Sequence, residues 1–214
     1  MECQCQGIEL KFDDKYVTKD LEEYRRKGPK NTTLALIDAL KAQDIHGFTL
    51  LDIGGGIGDI QHALLESGLT SAVDLEASSA YVEACKAEAE RQGHSQQIQH
   101  LQGDFVELAA SIPSADVVTL DRVVCCYHDM TNLVSLSANK AKRLYGLVYP
   151  RDRWWVKVGM LILYNLRFSL QGIPFRIFVH PNHAVETLIR ESGLQLRFAR
   201  NMGPWQVLVF ARSN

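Results

Sequence analysis

The chain has 214 residues, of which 46% are hydrophobic and 22% charged, a balance that suits one folded domain and excludes a disordered or fibrous chain. The formal net charge of -2 gives no general attraction to phosphate backbones, so a nucleic-acid partner is not expected. The odd number of cysteines, five, and an N-terminus without a basic-then-apolar signal segment predict a cytoplasmic protein, and no apolar run reaches the roughly 20 residues of a transmembrane helix.

Segments with helical and strand-like patterns alternate from residue 31 onward. A helix over 31–43 begins at a cap formed by Asn31 or Thr32. The pattern then predicts strands at 48–53, 71–75, 98–105, 115–124 and 144–149, and helices at 60–67, 78–92 and 131–143. This order is typical of a parallel sheet with helices on both faces. We divide the chain into an N-terminal cap segment, 1–30, and one domain, 31–214.

The C-terminal third departs from this alternation. Residues 152–170 are unusually rich in aromatic side chains and are predicted to be helical, and a further helix is predicted over 183–192. Two strand-like runs, 194–200 and 205–212, flank the turn-forming sequence NMGP. They predict an antiparallel hairpin, which brings the sheet to seven strands.

The glycine-rich sequence LLDIGGGIGDI at 50–60 follows the first strand and leads into a helix, an arrangement that suits a nucleotide-like ligand. A dinucleotide fingerprint starting at Gly54 would need glycine where Asp59 stands, and one starting at Gly55 would need glycine where Ile57 stands. No Lys-Ser/Thr pair follows, which excludes a P-loop. The pattern that fits is an acid followed by alternating glycines: Asp52, Gly54, Gly56 and Gly58. It favours a cofactor whose nearest charged group is a cation, and S-adenosylmethionine is such a ligand.

With these motifs the sequence resembles the class I S-adenosylmethionine-dependent methyltransferases over residues 31–211, and more distantly the magnesium-protoporphyrin O-methyltransferases. The resemblance implies a Rossmann-like α/β fold. It also implies roles at the strand ends. Asp74, followed by Leu75, would bind the ribose hydroxyls, with Glu76 as a competitor two residues on. The remaining implied contacts are Asp104 and Phe105 for the adenine, and Asp121 for the methionine portion of the cofactor.

The acceptor of the methyl group is less well defined by the sequence. The N/D-P-P-Y/F motif of adenine and glutamine methylation is absent after the fourth strand, where LDRVVCCYHD stands. Tyr127 and His128 follow that strand, and His128 is a candidate general base or else a capping or surface histidine. His180 and His183 are further candidates. We expect O-methylation of a small, apolar or aromatic acceptor; the alternative is a non-catalytic, cofactor-binding regulatory protein.

Two further features leave alternatives open. Cys3 and Cys5 lack the second pair that a closed zinc site needs, so no metal is expected. In the aromatic segment, one helical face carries Trp154, Val158, Leu161 and Ile162. That face either packs into the core or forms a wall or lid over an apolar acceptor, with Arg151, Arg153 or Arg176 holding an acidic group.

Overall fold

The structure is a computed structural model that describes residues 3–213, with side chains described from residue 7 onward. Its centre is a seven-stranded sheet with the strand order β3-β2-β1-β4-β5-β7-β6. The strands are β1 Thr49–Ile53, β2 Ser71–Glu76, β3 Ile98–Gln102, β4 Ala115–Asp121, β5 Ala141–Pro150, β6 Leu194–Met202 and β7 Trp205–Arg212.

The first five strands pair in parallel, β7 is antiparallel to β5, and β6 is antiparallel to β7. The predicted mostly parallel sheet with a C-terminal antiparallel hairpin is therefore confirmed. The strand order reverses next to β1, which has β2 on one side and β4 on the other. In open α/β sheets the crevice at such a reversal, outside the carboxyl ends of the strands, is where ligands bind.

Helices cover both faces of the sheet. They are α1 Cys3–Lys11, α2 Asp14–Lys27, α3 Asn31–Lys41, α4 Asp59–Leu65, α5 Ser79–Gln92, α6 Phe105–Leu108, α7 Met130–Lys140, α8 Trp154–Gly159, α9 Arg167–Leu170 and α10 Asn182–Glu191. A π-helical stretch, Met160–Leu166, joins α8 to α9. Side chains of a strand alternate between two cores, so Val117 packs with α3 and α4 while Val118 and Leu120 pack with α7 and α10.

Several predicted boundaries differ from the structure because strand pairing decides them. The third strand ends at Gln102, and the fourth ends at Asp121 before a short 3-10 turn, Val124–Cys126. Residues 141–143, predicted to be helical, begin β5, where Ala141 pairs with Ala115. The residue before α3 is Lys30, which makes no side-chain capping hydrogen bond.

The N-terminal residues form two helices that pack beside the glycine-rich loop. The hydroxyl of Tyr81 in α5 donates to Asp20 in α2, and the Ser78 hydroxyl donates to the carbonyl of Phe12 between α1 and α2. Arg25 of α2 forms an ion pair with the buried Glu88 of α5. These contacts hold the N-terminal helices against α5. The division of the chain at residue 30 stays a prediction.

Candidate active site

The loop between β1 and α4 approaches its surroundings closely on one side and is open on the other. Gly54 and Gly56 have φ angles of 68° and 60°, in the left-handed region that favours glycine. A Cβ atom on Gly54 would lie 2.4 Å from a methyl carbon of Val123, and the N–H of Gly54 donates to the Leu75 carbonyl at 2.7 Å. A Cβ atom on Gly56 would meet nothing closer than Tyr81 at 3.7 Å. Gly56 is thus the point at which a ligand can approach the bare backbone. Gly58, the third predicted glycine, lies at the start of α4, where its Cβ would come within 2.9 Å of the Cys85 sulfur.

A buried polar cluster lies beneath this loop. The Gln61 amide donates to Asp52 at 3.1 Å and to Asp74 at 2.9 Å, and the Thr119 hydroxyl donates to Asp52 at 2.6 Å. The second oxygen of Asp74 lies 3.0 Å from Nδ1 of His100. Burial raises the pKa of Asp52 to about 8. Asp52 and Asp74 therefore support the loop from below, and their contact with the cofactor stays a prediction.

Glu76 ends β2 and faces the loop itself. Its Oε2 accepts the N–H of Gly56 at 3.2 Å, and its Oε1 accepts the N–H groups of Ala77 and Ser78 at 2.8 and 3.0 Å. Burial raises the pKa of Glu76 to about 7, although these backbone donors favour the charged form. Leu75 lies between the two acids, and its side chain is buried in the core. The acid next to the open side of Gly56 is thus Glu76, whereas Asp74 is fully buried.

The β3–α6 connection brings Asp104 and Tyr127 together. Asp104 caps α6 by accepting the N–H of Val106 at 2.7 Å, and the Tyr127 hydroxyl lies 2.7 Å from both of its carboxylate oxygens. Phe105, predicted to cover the adenine, is only 4% exposed and belongs to the main hydrophobic core. The sequence missed the pairing of Asp104 with Tyr127, because their separation of 23 residues carries no local signal.

Asp121 ends β4 and meets the first turn of α3. The Thr33 hydroxyl donates to its Oδ2, while its buried Oδ1 accepts no hydrogen bond from any residue that the structure describes. The guanidinium of Arg122 lies 3.6 Å from that oxygen and bonds the Thr32 hydroxyl. Arg122 has a φ of 61°, a strained conformation for a side-chain-bearing residue and one that is frequent at functional sites. Thr32, one of the two predicted cap residues of α3, instead accepts this hydrogen bond from Arg122.

The histidines proposed for the acceptor side form part of an aromatic group beyond β4. The exposed ring of His128 meets the edge of Phe178 at 5.6 Å between ring centroids, and His180 stacks on Phe178 at 5.8 Å. His180 donates from Nε2 to the Tyr127 carbonyl at 2.9 Å, and burial lowers its pKa. His183 is exposed in the first turn of α10 and takes no part in this group.

The side chains of Cys3 and Cys5 lie outside the described residues. Among the described side chains, Asp74, Cys85 and His100 place potential metal-ligating atoms within 4.8 Å of one another. Asp74 already bonds both His100 and Gln61, and the Cys85 thiol donates to Gln61 at 3.6 Å. We interpret these residues as part of the hydrogen-bonded support of the glycine loop.

The aromatic segment does not pack into the core as one alternative proposed. Trp154, Val158, Leu161 and Ile162 are between 45% and 77% exposed, and that alternative is wrong for this face. The segment is attached through Phe168, whose ring contacts Phe175, which in turn contacts Phe12. Two of the three proposed arginine ligands bond backbone carbonyls: Arg151 binds that of Gly203, and Arg176 binds those of Ile173 and Phe175, whereas Arg153 is exposed.

The fold resembles that of several known proteins. The family model of the O-methyltransferase domain matches residues 5–144, more than half of the chain. No curated protein sequence is significantly similar to it. Among solved structures, the magnesium protoporphyrin IX methyltransferase of Synechocystis PCC 6803 with bound S-adenosylhomocysteine superposes with a TM-score of 0.68, at 17% identity, over 94% of this chain and 97% of that one.

Two further solved structures are longer than this chain. Mitomycin 7-O-methyltransferase matches with a TM-score of 0.62 and 21% identity, over 90% of this chain and 57% of its own. An O-methyltransferase family 2 protein of Planctomyces limnophilus in complex with apigenin matches with a TM-score of 0.62 and 13% identity, over 87% and 63%. At these identities the structures establish the fold, and the family model establishes membership. The chain belongs to the O-methyltransferase domain family and is an S-adenosylmethionine-dependent methyltransferase.

Proposed function

We propose that this chain transfers a methyl group from S-adenosylmethionine to an oxygen atom of a small, apolar or aromatic acceptor. The proposal rests on the arrangement of residues at the carboxyl ends of β1, β2 and β4. There an open glycine, Gly56, lies beside the Glu76 carboxylate, and one buried oxygen of Asp121 accepts no hydrogen bond from the described residues.

The residues at this edge fit the cofactor by the chemistry of their donors and acceptors. Glu76 offers carboxylate oxygens, which accept hydrogen bonds from ribose hydroxyls. Oδ1 of Asp121 suits the ammonium group of a methionine moiety, because the Arg122 guanidinium stays 3.6 Å away and a buried carboxylate oxygen without a hydrogen-bond donor costs free energy. We therefore assign the ribose to Glu76 rather than Asp74, the methionine portion to Asp121, and the backbone approach to Gly54, Gly56 and Gly58.

Asp52, Asp74 and Leu75 then act indirectly, by fixing the loop and the end of β2. Asp104 remains our proposal for the adenine side, with Tyr127 orienting its carboxylate. Phe105 acts through the core beneath that position.

The cofactor supplies an electrophilic methyl group, so the chain must orient an acceptor oxygen and remove its proton. His128 is exposed at the end of the turn after β4 and is held edge-on by Phe178, which makes it our candidate for the base. Tyr127 is the weaker candidate, because its hydroxyl is already bonded to Asp104.

An apolar or aromatic acceptor fits the side chains near this edge. Phe12 contacts Tyr16, Tyr81 and Phe175 with ring centroids 5.3 to 5.6 Å apart, and Phe178 contacts His128 and His180 beyond β4. Three of the similar structures are named for, or were solved with, ring compounds: magnesium protoporphyrin IX, mitomycin and apigenin.

The proposal is tested with labelled S-adenosylmethionine and a panel of phenols and carboxylic acids. We expect label to move into an organic-soluble product, as an acid-stable ether or a base-labile ester. S-adenosylhomocysteine binding without transfer to any acceptor would favour the non-catalytic regulatory protein. Transfer to amines alone would overturn the assignment to oxygen.

A further inference from the structure

The helix of residues 154–170 is the most unusual surface of the molecule. Over these 17 residues only Val156, Met160 and Phe168 are buried. Nine apolar side chains are 43% to 80% exposed, and we call them the apolar face: Trp154, Trp155, Val158, Leu161, Ile162, Leu163, Tyr164, Leu166 and Leu170. Exposed apolar patches of this kind mark interaction sites.

The charges around the apolar face are almost all positive. Residues 151–176 contain five basic residues and one acid, a formal charge of +4, whereas the rest of the chain has 18 basic and 24 acidic residues and a charge of -6. The single acid, Asp152, is paired with Lys157. Arg153 and Arg167 are exposed and form no ion pair with any side chain described from residue 7 onward. The molecule thus carries a basic, apolar end on an otherwise acidic body.

We propose that the apolar face docks on the surface of an anionic lipid membrane. Helices that lie in a membrane interface combine an apolar face with basic residues, and tryptophan side chains favour that depth. Each exposed arginine adds attraction to anionic headgroups, while the acidic remainder of the chain would be turned away from them.

The helix would lie along the membrane rather than cross it. Seventeen residues at the helical rise span about 25 Å, which is less than a hydrocarbon core of roughly 30 Å. Lys157 and Arg167 also interrupt the segment, and no helix among residues 3–213 is long and apolar enough to span a bilayer.

The docked helix would remain connected to the candidate active site. Asn165 exchanges two 2.8 Å hydrogen bonds with the backbone of Ile177, and the N–H of Phe178 donates to the Cys125 carbonyl just after β4. The membrane-facing segment and the acceptor side of the site are therefore parts of one continuous structure.

Co-sedimentation of the full chain with lipid vesicles tests the proposal. We expect binding to vesicles that contain one third phosphatidylglycerol and much weaker binding to phosphatidylcholine alone, with a blue shift of tryptophan fluorescence on binding. The double variant Arg153→Gln/Arg167→Gln should bind roughly 30-fold more weakly, since each basic residue near an anionic surface contributes about fivefold. The matched control is Arg197→Gln/Arg200→Gln, which removes the same charge from exposed positions on β6 and should change binding less than about twofold.

A second variant tests the apolar contribution. Leu161→Gln/Leu163→Gln changes two side chains that are 63% and 67% exposed, so its thermal unfolding midpoint should match that of the wild type while vesicle binding is lost. Two outcomes overturn the proposal. One is wild-type protein that stays in the supernatant with both kinds of vesicle. The other is a lipid-free dimer that the leucine variant dissociates, because the apolar face would then belong to a second copy.

Discussion

Either Glu76 or Asp74 binds the ribose of the cofactor, and replacing each acid by its amide distinguishes these two assignments. Glu76→Gln keeps the shape of the side chain and removes the charge beside Gly56. Charge-assisted hydrogen bonds to ribose hydroxyls contribute about 1.5 to 3 kcal/mol, so the affinity for S-adenosylhomocysteine should fall roughly 10- to 150-fold. Isothermal titration calorimetry measures this directly.

Asp74→Asn should mainly reduce stability instead. Asp74 is fully buried and bonds Gln61 through one oxygen and His100 through the other. An asparagine whose oxygen still accepts from Gln61 turns an amide N–H₂ toward Nδ1 of His100, so that bond is lost unless His100 changes its tautomer, and losing it costs about 1 to 3 kcal/mol. For a chain of this size the midpoint of thermal unfolding should fall by roughly 2 to 12 °C.

The two measurements together decide between the acids. Calorimetry on each variant, below its own unfolding midpoint, should show the larger loss of affinity in Glu76→Gln. The assignment to Glu76 is refuted if folded Asp74→Asn loses more affinity for S-adenosylhomocysteine than Glu76→Gln does. The ribose ligand would then be Asp74, as the sequence favoured.

Three other expectations follow from the same site. Burial raises the pKa of Glu76 from 4.5 to about 7, so the folded state holds this proton more tightly than the unfolded state. The free energy of unfolding should therefore fall by roughly 3 kcal/mol as the pH rises from below 4.5 to above 7. Urea titrations across this range should show that Glu76→Gln removes this pH dependence, and an equal pH slope in the variant would contradict the assignment. Gly55→Ala places a Cβ 2.3 Å from Nε2 of Gln61, so chemical denaturation should show a loss of about 1 to 3 kcal/mol in the free energy of unfolding. The control Gly159→Ala, at a helical position with open space, should change this free energy by between zero and a gain of about 1 kcal/mol. Equal values for the two variants would show that the loop accommodates the added methyl group. His128→Ala should reduce turnover of the identified acceptor about 10²- to 10⁴-fold with unchanged S-adenosylhomocysteine affinity, and normal turnover would remove His128 from the mechanism.

The sheet and its cofactor edge could be predicted because their signals are local in the sequence. Strand and helix periods, the glycines after β1 and the turn between β6 and β7 each lie within about a dozen residues, and all seven strands were identified. Boundaries failed where pairing with a distant strand decides them, as for Ala141, which joins β5 by pairing with Ala115. The exposure of Trp154 and its neighbours was also beyond reach, since an apolar helical face has the same pattern whether or not anything covers it.

The choice between Asp74 and Glu76 illustrates why site residues are harder to assign than the strands that carry them. Residues two apart in a strand project from the same face, so a carboxylate at either position satisfies the same motif. The sheet register distinguishes the two positions. Asp74 pairs with Asp52 inside the sheet, and the Gln61 amide bridges these two acids. Glu76 lies two residues farther along β2, where β1 has ended and the glycine loop has begun. Gln61 is two residues into α4 and carries no motif of its own. Its position under the loop makes Asp74 part of the support, and we propose Glu76, which bonds Gly56, as the acid that meets the cofactor.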